Sequence, residues 1–344
     1  MTLRSSLFVW GVLAAACAKP APTPEVAEPG APPAAAPVMV ESIPGPSASA
    51  APSAAPAPSL QEATKPPPAP VPSPVVTFKG AFATPESVFY DAAADRYLVS
   101  NINGKPDGVD DNGYISELSP DGSVKTPKLI AGGVNKVKLD APKGLIIVGK
   151  ELWVTDISVV RKFDLQTLAP KGDIALPGAT FANDIVLAPD GRVFVSDSSI
   201  KPGANGFEPQ GGDQVFVIDK AGKVKVLAKG KELAGPNGLV IGPKGLLVNT
   251  LTSNEVIRLT DSGAREDVVK LPNGGLDGML IVGDTLIVTS WGASAIYRGK
   301  LGGTSFEPIV QNVSGPADIG YDTKRGRVLL PRFLDDVVEA YDVK

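Results

Sequence analysis

The chain has 344 residues, of which 33 are basic and 37 acidic, for a formal net charge of −4. So mild a balance gives no electrostatic case for nucleic acid or acidic lipid as a partner. Histidine is absent altogether, which excludes a Ser-His-Asp triad, a His-paired cysteine nucleophile and any zinc site that needs imidazole. Catalysis is left to carboxylates, amides, lysine or a bound metal.

Residues 1–16 have the three parts of an export signal. Arg4 is the positive start, residues 7–16 are apolar, and Ala14, Ala15 and Ala16 lead up to Cys17. The apolar run is too short for a stable membrane span. Cys17 is the only cysteine, so it has no internal disulfide partner. Leu13-Ala14-Ala15-Ala16-Cys17 resembles the lipobox of bacterial lipoproteins. The resemblance implies cleavage before Cys17, lipidation of that residue, and a periplasmic or cell-surface protein tied to a membrane by its N-terminal lipid. The alternative is an ordinary secretory signal with a coincidental cysteine.

Residues 17–75 are expected to form a disordered Ala/Pro-rich tether. Of the chain's 34 prolines, 19 crowd into its first quarter, and proline removes backbone donors while no amphipathic period appears. Extended at ~3.1 Å per residue, the segment reaches at most ~180 Å.

From residue 76 to residue 344 the sequence changes to short apolar runs punctuated by Gly, Asp and Asn, which indicates an all-β domain. Six segments repeat one pattern of a small or Pro residue, a second residue that is mostly polar, and an apolar strand. They are Pro85-Glu86-Ser87-Val88, Pro142-Lys143-Gly144-Leu145, Ala182-Asn183-Asp184-Ile185, Pro236-Asn237-Gly238-Leu239, Leu276-Asp277-Gly278-Met279 and Pro316-Ala317-Asp318-Ile319. Their starts lie roughly 40 to 56 residues apart, the length of a four-stranded propeller blade. Apolar second strands follow at 97–99, 152–154, 193–195, 246–248, 286–288 and 328–330. The expected fold is a six-bladed β-propeller.

In a propeller the start of each innermost strand faces the central channel. The aligned residues Glu86, Lys143, Asn183, Asn237, Asp277 and Ala317 should therefore converge at one mouth. Carboxylates and amide oxygens in a ring are the ligand set of a hard cation such as Ca²⁺. Asn and Asp also favour plain turns, but glutamate has no such preference to explain it. Lys143 has three readings: paired with Glu86 or Asp277 in place of a metal, anchoring a substrate, or turned to solvent at the rim. The acidic loop holding Asp107, Asp110, Asp111 and Asn112 reads as a solvated cover over the mouth. Asn101, Asp156 and Asp197 follow second strands and lie near it. Trp153 and Trp291 read as packing residues, with Trp291 and the Phe333-Leu334-Asp335-Asp336 run as alternative pocket linings.

Residues 82–344 resemble the calcium-dependent lactonase propellers of the SMP-30/gluconolactonase/LRE-like group. The matching pieces are Pro85-Glu86-Ser87-Val88-Phe89-Tyr90, Asn183-Asp184 with Pro189-Asp190-Gly191-Arg192, Pro236-Asn237-Gly238-Leu239, and Asp277-Gly278-Met279. The resemblance implies Glu86, Asn237 and Asp277 as metal ligands, Asp277 also as general base, and Asn183 as a substrate contact. The arginine that precedes Asn-Asp in sugar lactonases is replaced here by Phe181-Ala182. Two functions stay open: a calcium-dependent hydrolase of lactones or related esters, and a non-catalytic surface propeller that binds a protein, glycan or small metabolite. A monomer is expected.

Overall fold

The computed structural model describes residues 72–203 and 206–343. The predicted signal, Cys17 and all but the last four residues of the predicted tether lie outside the described residues.

The described residues form six four-stranded antiparallel sheets and one added hairpin. Five sheets are built in simple chain order. Their innermost strands are Pro85–Asp91, Pro142–Val148, Ala182–Leu187, Pro236–Gly242 and Leu276–Val282. The sixth sheet begins with the short strand Gly320–Asp322 and ends with a strand from the start of the domain. There Val76–Phe78 pairs with Val337–Asp342, in the register Val76↔Ala340 and Phe78↔Val338. The first and last strands of the domain thus share one sheet, which ties the ring shut. Each innermost strand neighbours the next around one axis, and the sixth neighbours the first. This is a six-bladed propeller.

Burial follows from that geometry. Second strands such as Val193–Asp197 are buried along their whole length, because both faces of each sheet are covered by the flanking blades. The core is accordingly six clusters, each between consecutive blades. Trp153 packs in the one between blades 2 and 3, with Val195 and Phe216.

The repeated sequence signal has a backbone cause. In five blades the first two strands lose register between the first residue of the pattern and the apolar residue three places on, as between Pro85 and Val88 or Leu276 and Met279. The aligned polar residues therefore stand in a β-bulge, which re-aims a side chain out of the ladder. A hydroxyl or amide from the second strand takes up the freed N–H. Ser100 Oγ accepts from Ser87 N at 2.9 Å, Ser196 Oγ from Asp184 N at 2.9 Å, and Thr289 Oγ1 from Gly278 N at 2.7 Å. Blade 6 has Pro331 at this second-strand place, and its ladder begins only at Gly320, apart from one bridge between Pro316 and Arg332.

The third residue of the bulge explains two glycines. A Cβ on Gly278 would stand 2.3 Å from Ile319 N of the next blade, and one on Gly238 would stand 2.2 Å from Asp277 O. Gly278→Ala should destabilise the protein by about 1–3 kcal/mol through this overpacking, seen as a lower urea midpoint. An unchanged midpoint would show that the inner strands can move apart.

Candidate functional site

The bulges bring four of the predicted residues into one buried electrostatic cluster. Glu86, Lys143, Asn237 and Asp277 are 5%, 1%, 2% and 6% exposed. Trp291 Nε1 donates to Asp277 Oδ2 at 2.8 Å, while the neighbouring Asn237 amide donates to Leu276 O at 3.3 Å. The other oxygen, Asp277 Oδ1, and Glu86 Oε2 are both buried and without a hydrogen-bond partner. Two orphaned carboxylate oxygens are rare in a folded interior, because each carries its full desolvation cost.

Beneath the ring lies a second pair of acids. At the third position of the repeat, where blades 2, 4 and 5 have glycine and blade 1 has Ser87, blades 3 and 6 have Asp184 and Asp318. Asp184 accepts from Leu239 N and Ile185 N, both at 2.6 Å, and Asp318 accepts from Ser87 Oγ at 2.5 Å. With Ser87 they line a cavity of about 210 Å³ between the inner strands. Burial above all raises the pKa of all four acids. Glu86 and Asp184 go well above the usual carboxylate range, with Asp277 and Asp318 respectively the leading charge that adds to burial. Asp277 is pushed up to about 7, by burial and then by the charge of Asp318, and Asp318 is pushed up to about 6 by burial.

Lys143 does not face solvent. Its Nζ donates to Pro106 O at 3.0 Å and Ala141 O at 3.1 Å, and sits 4.3 Å from the centre of the Phe181 ring. It makes no ion pair among the described residues, although Glu86 is the leading charge that holds its proton against burial. The contact with Pro106 O anchors the 102–113 loop above the ring. Asn183 is buried as well: its Nδ2 donates to Ser198 Oγ at 3.0 Å, and Ser198 Oγ donates to Pro236 O at 2.8 Å.

Other predicted candidates serve the scaffold. Asp156 accepts from Asp140 N and Ala141 N and pairs with Arg161 at 2.8 Å. Asp197 accepts from Phe181 N at 2.8 Å, and Asn101 Oδ1 from Ala83 N at 3.3 Å. They fix the loop that enters each inner strand.

Three functional features escaped the sequence reading. Trp291 is a ligand of Asp277 as well as a packing residue. Asp184 and Asp318 sit in the repeat but one place beyond the aligned column. A hairpin, Ile200–Gly203 with Gly206–Pro209, is inserted into blade 3. Its Phe207 stands edge-on to Phe181 at 6.1 Å and to Trp291 at 6.3 Å, and Trp291 meets Phe333 at 5.3 Å.

The donor set fits a hard divalent cation. Two carboxylates, each with a bare buried oxygen, and a neighbouring amide are oxygen ligands of the kind Ca²⁺ or Mg²⁺ takes. Among the described residues no three His, Cys, Asp or Glu side chains form a metal cluster, so the set depends on Asn237 as its third member.

No family model matches the chain, and no curated protein matches its sequence. Solved structures do match. A gluconolactonase of Xanthomonas campestris is similar over 77% of this chain and 88% of its own, at 16% identity and a TM-score of 0.57. This chain has the six-bladed propeller fold of that enzyme. Other proteins share it. A catalytically inactive histidine-to-alanine variant of virginiamycin B lyase from Staphylococcus aureus, solved with quinupristin, covers 76% of this chain and 95% of its own at 16% identity and a TM-score of 0.52. A chain of a nidogen/laminin complex covers 64% and 78%, at 16% identity and a TM-score of 0.51. The likeness to lactonase propellers read from short motifs is thus found again in the fold.

Proposed function

We propose that this propeller is a divalent-cation-dependent hydrolase of lactones or related esters, exported and held to a membrane by a lipid on Cys17. One observation carries the enzymatic reading. Glu86 Oε2 and Asp277 Oδ1 are buried acceptors with no donor, set in bulges whose repeated purpose is to present side chains at the mouth. Glu86, Asn237 and Asp277 would hold the cation. When bound, it would polarise the substrate carbonyl and stabilise the negative charge that develops there.

The chain's own residues supply the rest. Asp277 accepts the proton of the attacking water on its carboxylate, which Trp291 keeps fixed. Water adds to the carbonyl carbon, the C–O bond to the ring oxygen breaks, and the proton passes to the departing alkoxide. The product is a hydroxy acid. Asn183 orients the substrate beside this centre. Chemistry of the virginiamycin B lyase kind is disfavoured, since that enzyme is inactive without one histidine and this chain has none.

Calcium titrated into the purified, chelator-treated protein at pH 6.5 should bind with release of protons, because Asp277 titrates near 7 and must ionise to bind. Calorimetry in two buffers of different ionisation heat reads both. Absence of binding by Ca²⁺, Mg²⁺ and Mn²⁺ would overturn the assignment.

A further inference from the structure

The wall above the ring is largely aromatic. From blade 2 to blade 6 a row of groups runs Lys143, Phe181, Phe207, Trp291, Phe333, with each neighbouring pair in cation–π or edge-to-face contact. The row touches the ring twice, at Lys143 and again where Trp291 Nε1 meets Asp277. Phe207, Trp291 and Phe333 are only half-buried, so each keeps ring surface open beside the reacting carboxylate.

Several polar groups nearby are already engaged, and the bare oxygens of Glu86 and Asp277 are the ones that would hold the cation. The Trp291 N–H is on Asp277, two of the Lys143 donor contacts are backbone carbonyls, and the Asn183 amide donates to Ser198. Hydroxyls of a polyhydroxylated ring turned toward this row would find no partners on it, at about 1–3 kcal/mol for each buried one. A flat aromatic ring meets edges and faces of its own kind, in pairs worth about 0.5–1.5 kcal/mol beyond simple burial. Phe181 is 3% exposed at the base of the row.

We propose that the site takes a lactone or ester carrying a flat aromatic ring, and that Phe207, delivered by the inserted hairpin, is the residue that selects it. This rests on the hydrolase reading and narrows it. Phe207 bridges two blades that are otherwise apart, so it is the member of the row whose loss opens the wall without touching the ring.

The test separates binding from turnover. The lactam 3,4-dihydro-2-quinolinone, a non-hydrolysable mimic of dihydrocoumarin, is titrated calorimetrically into the calcium-loaded protein beside glucono-1,5-lactam. Dihydrocoumarin and glucono-1,5-lactone are then compared as substrates. The aryl lactam should bind, the sugar lactam should not, and Phe207→Ala should weaken binding roughly tenfold, the equivalent of about 1.4 kcal/mol. Phe207→Leu, which keeps bulk and loses the π face, should fall between, with a melting curve to confirm folding. Preference for the sugar lactam, or an unchanged Kd in Phe207→Ala, would overturn the proposal. Aryl-lactam binding that depends on Phe207 without hydrolysis of either lactone would keep the aromatic site and sink the hydrolase.

Discussion

Asp277→Asn should lower kcat/KM for a lactone by roughly 10³-fold, within the range a positioned general base contributes, and should at the same time make the cation-free protein more stable. The two effects have one origin. The carboxylate is buried, carries one unpartnered oxygen, has its proton affinity raised by the charge of Asp318, and raises that of Glu86 in turn. An amide of the same shape removes the charge that these neighbours resist and removes the proton acceptor together. Trp291 Nε1 can still donate to the amide oxygen, so the local packing is retained. A stopped reaction in a protein with a raised melting temperature cannot be explained by unfolding. Steady-state kinetics with a chromogenic lactone, beside a thermal melt in chelator, reads both. Activity within tenfold of the parent would remove Asp277 from the chemistry; lost activity with a lowered melting temperature would make its role structural.

The propeller was legible because its signal is repeated. A single Asn-Gly-Leu says little, but a bulge recurring in five blades leaves the same pattern five times, and even the sixth, which lacks the bulge, keeps the small and apolar residues. The candidate ligands were legible for the same reason, since Glu86, Asn237 and Asp277 occupy one column. What broke the repeat was hidden. Starts 1 and 3 are followed by longer intervals than the others, and in both cases the surplus lies between second and third strands, at the mouth. That spacing marks where the 102–113 loop and the Phe207 hairpin emerge, but nothing local says that Phe207 would reach Trp291. Pairings such as Trp291 with Asp277 or Ser87 with Asp318 join residues far apart in sequence. They follow from ring closure, which one blade's sequence does not contain.

The cation-free protein should lose stability as pH rises from about 4 to about 7, and a bound cation should reverse the slope. Asp277 and Asp318 have folded-state pKa values raised from 3.8 to about 7 and about 6. Each therefore favours the folded state fully below about pH 4, where both states hold the proton, and loses that contribution as pH climbs through the folded value. Glu86, Asp184, Asp197 and Asp213, all raised by burial first, act in the same sense. Asp95, lowered by its hydrogen bonds from Arg325 and Lys324, acts with the opposite sign at more acid pH. With each pKa unit equivalent to about 1.4 kcal/mol, a combined loss of roughly 3–6 kcal/mol corresponds to about 10 °C in Tm. Calcium binds the ionised cluster and the folded state, so its stabilisation grows over the same window. Melting curves from pH 4 to pH 8, in chelator and in excess Ca²⁺, should therefore diverge upward with pH, and Asp277→Asn should flatten both. Parallel curves would mean that the four buried acids are discharged by something other than a cation. The hydrolase reading would then lose its metal.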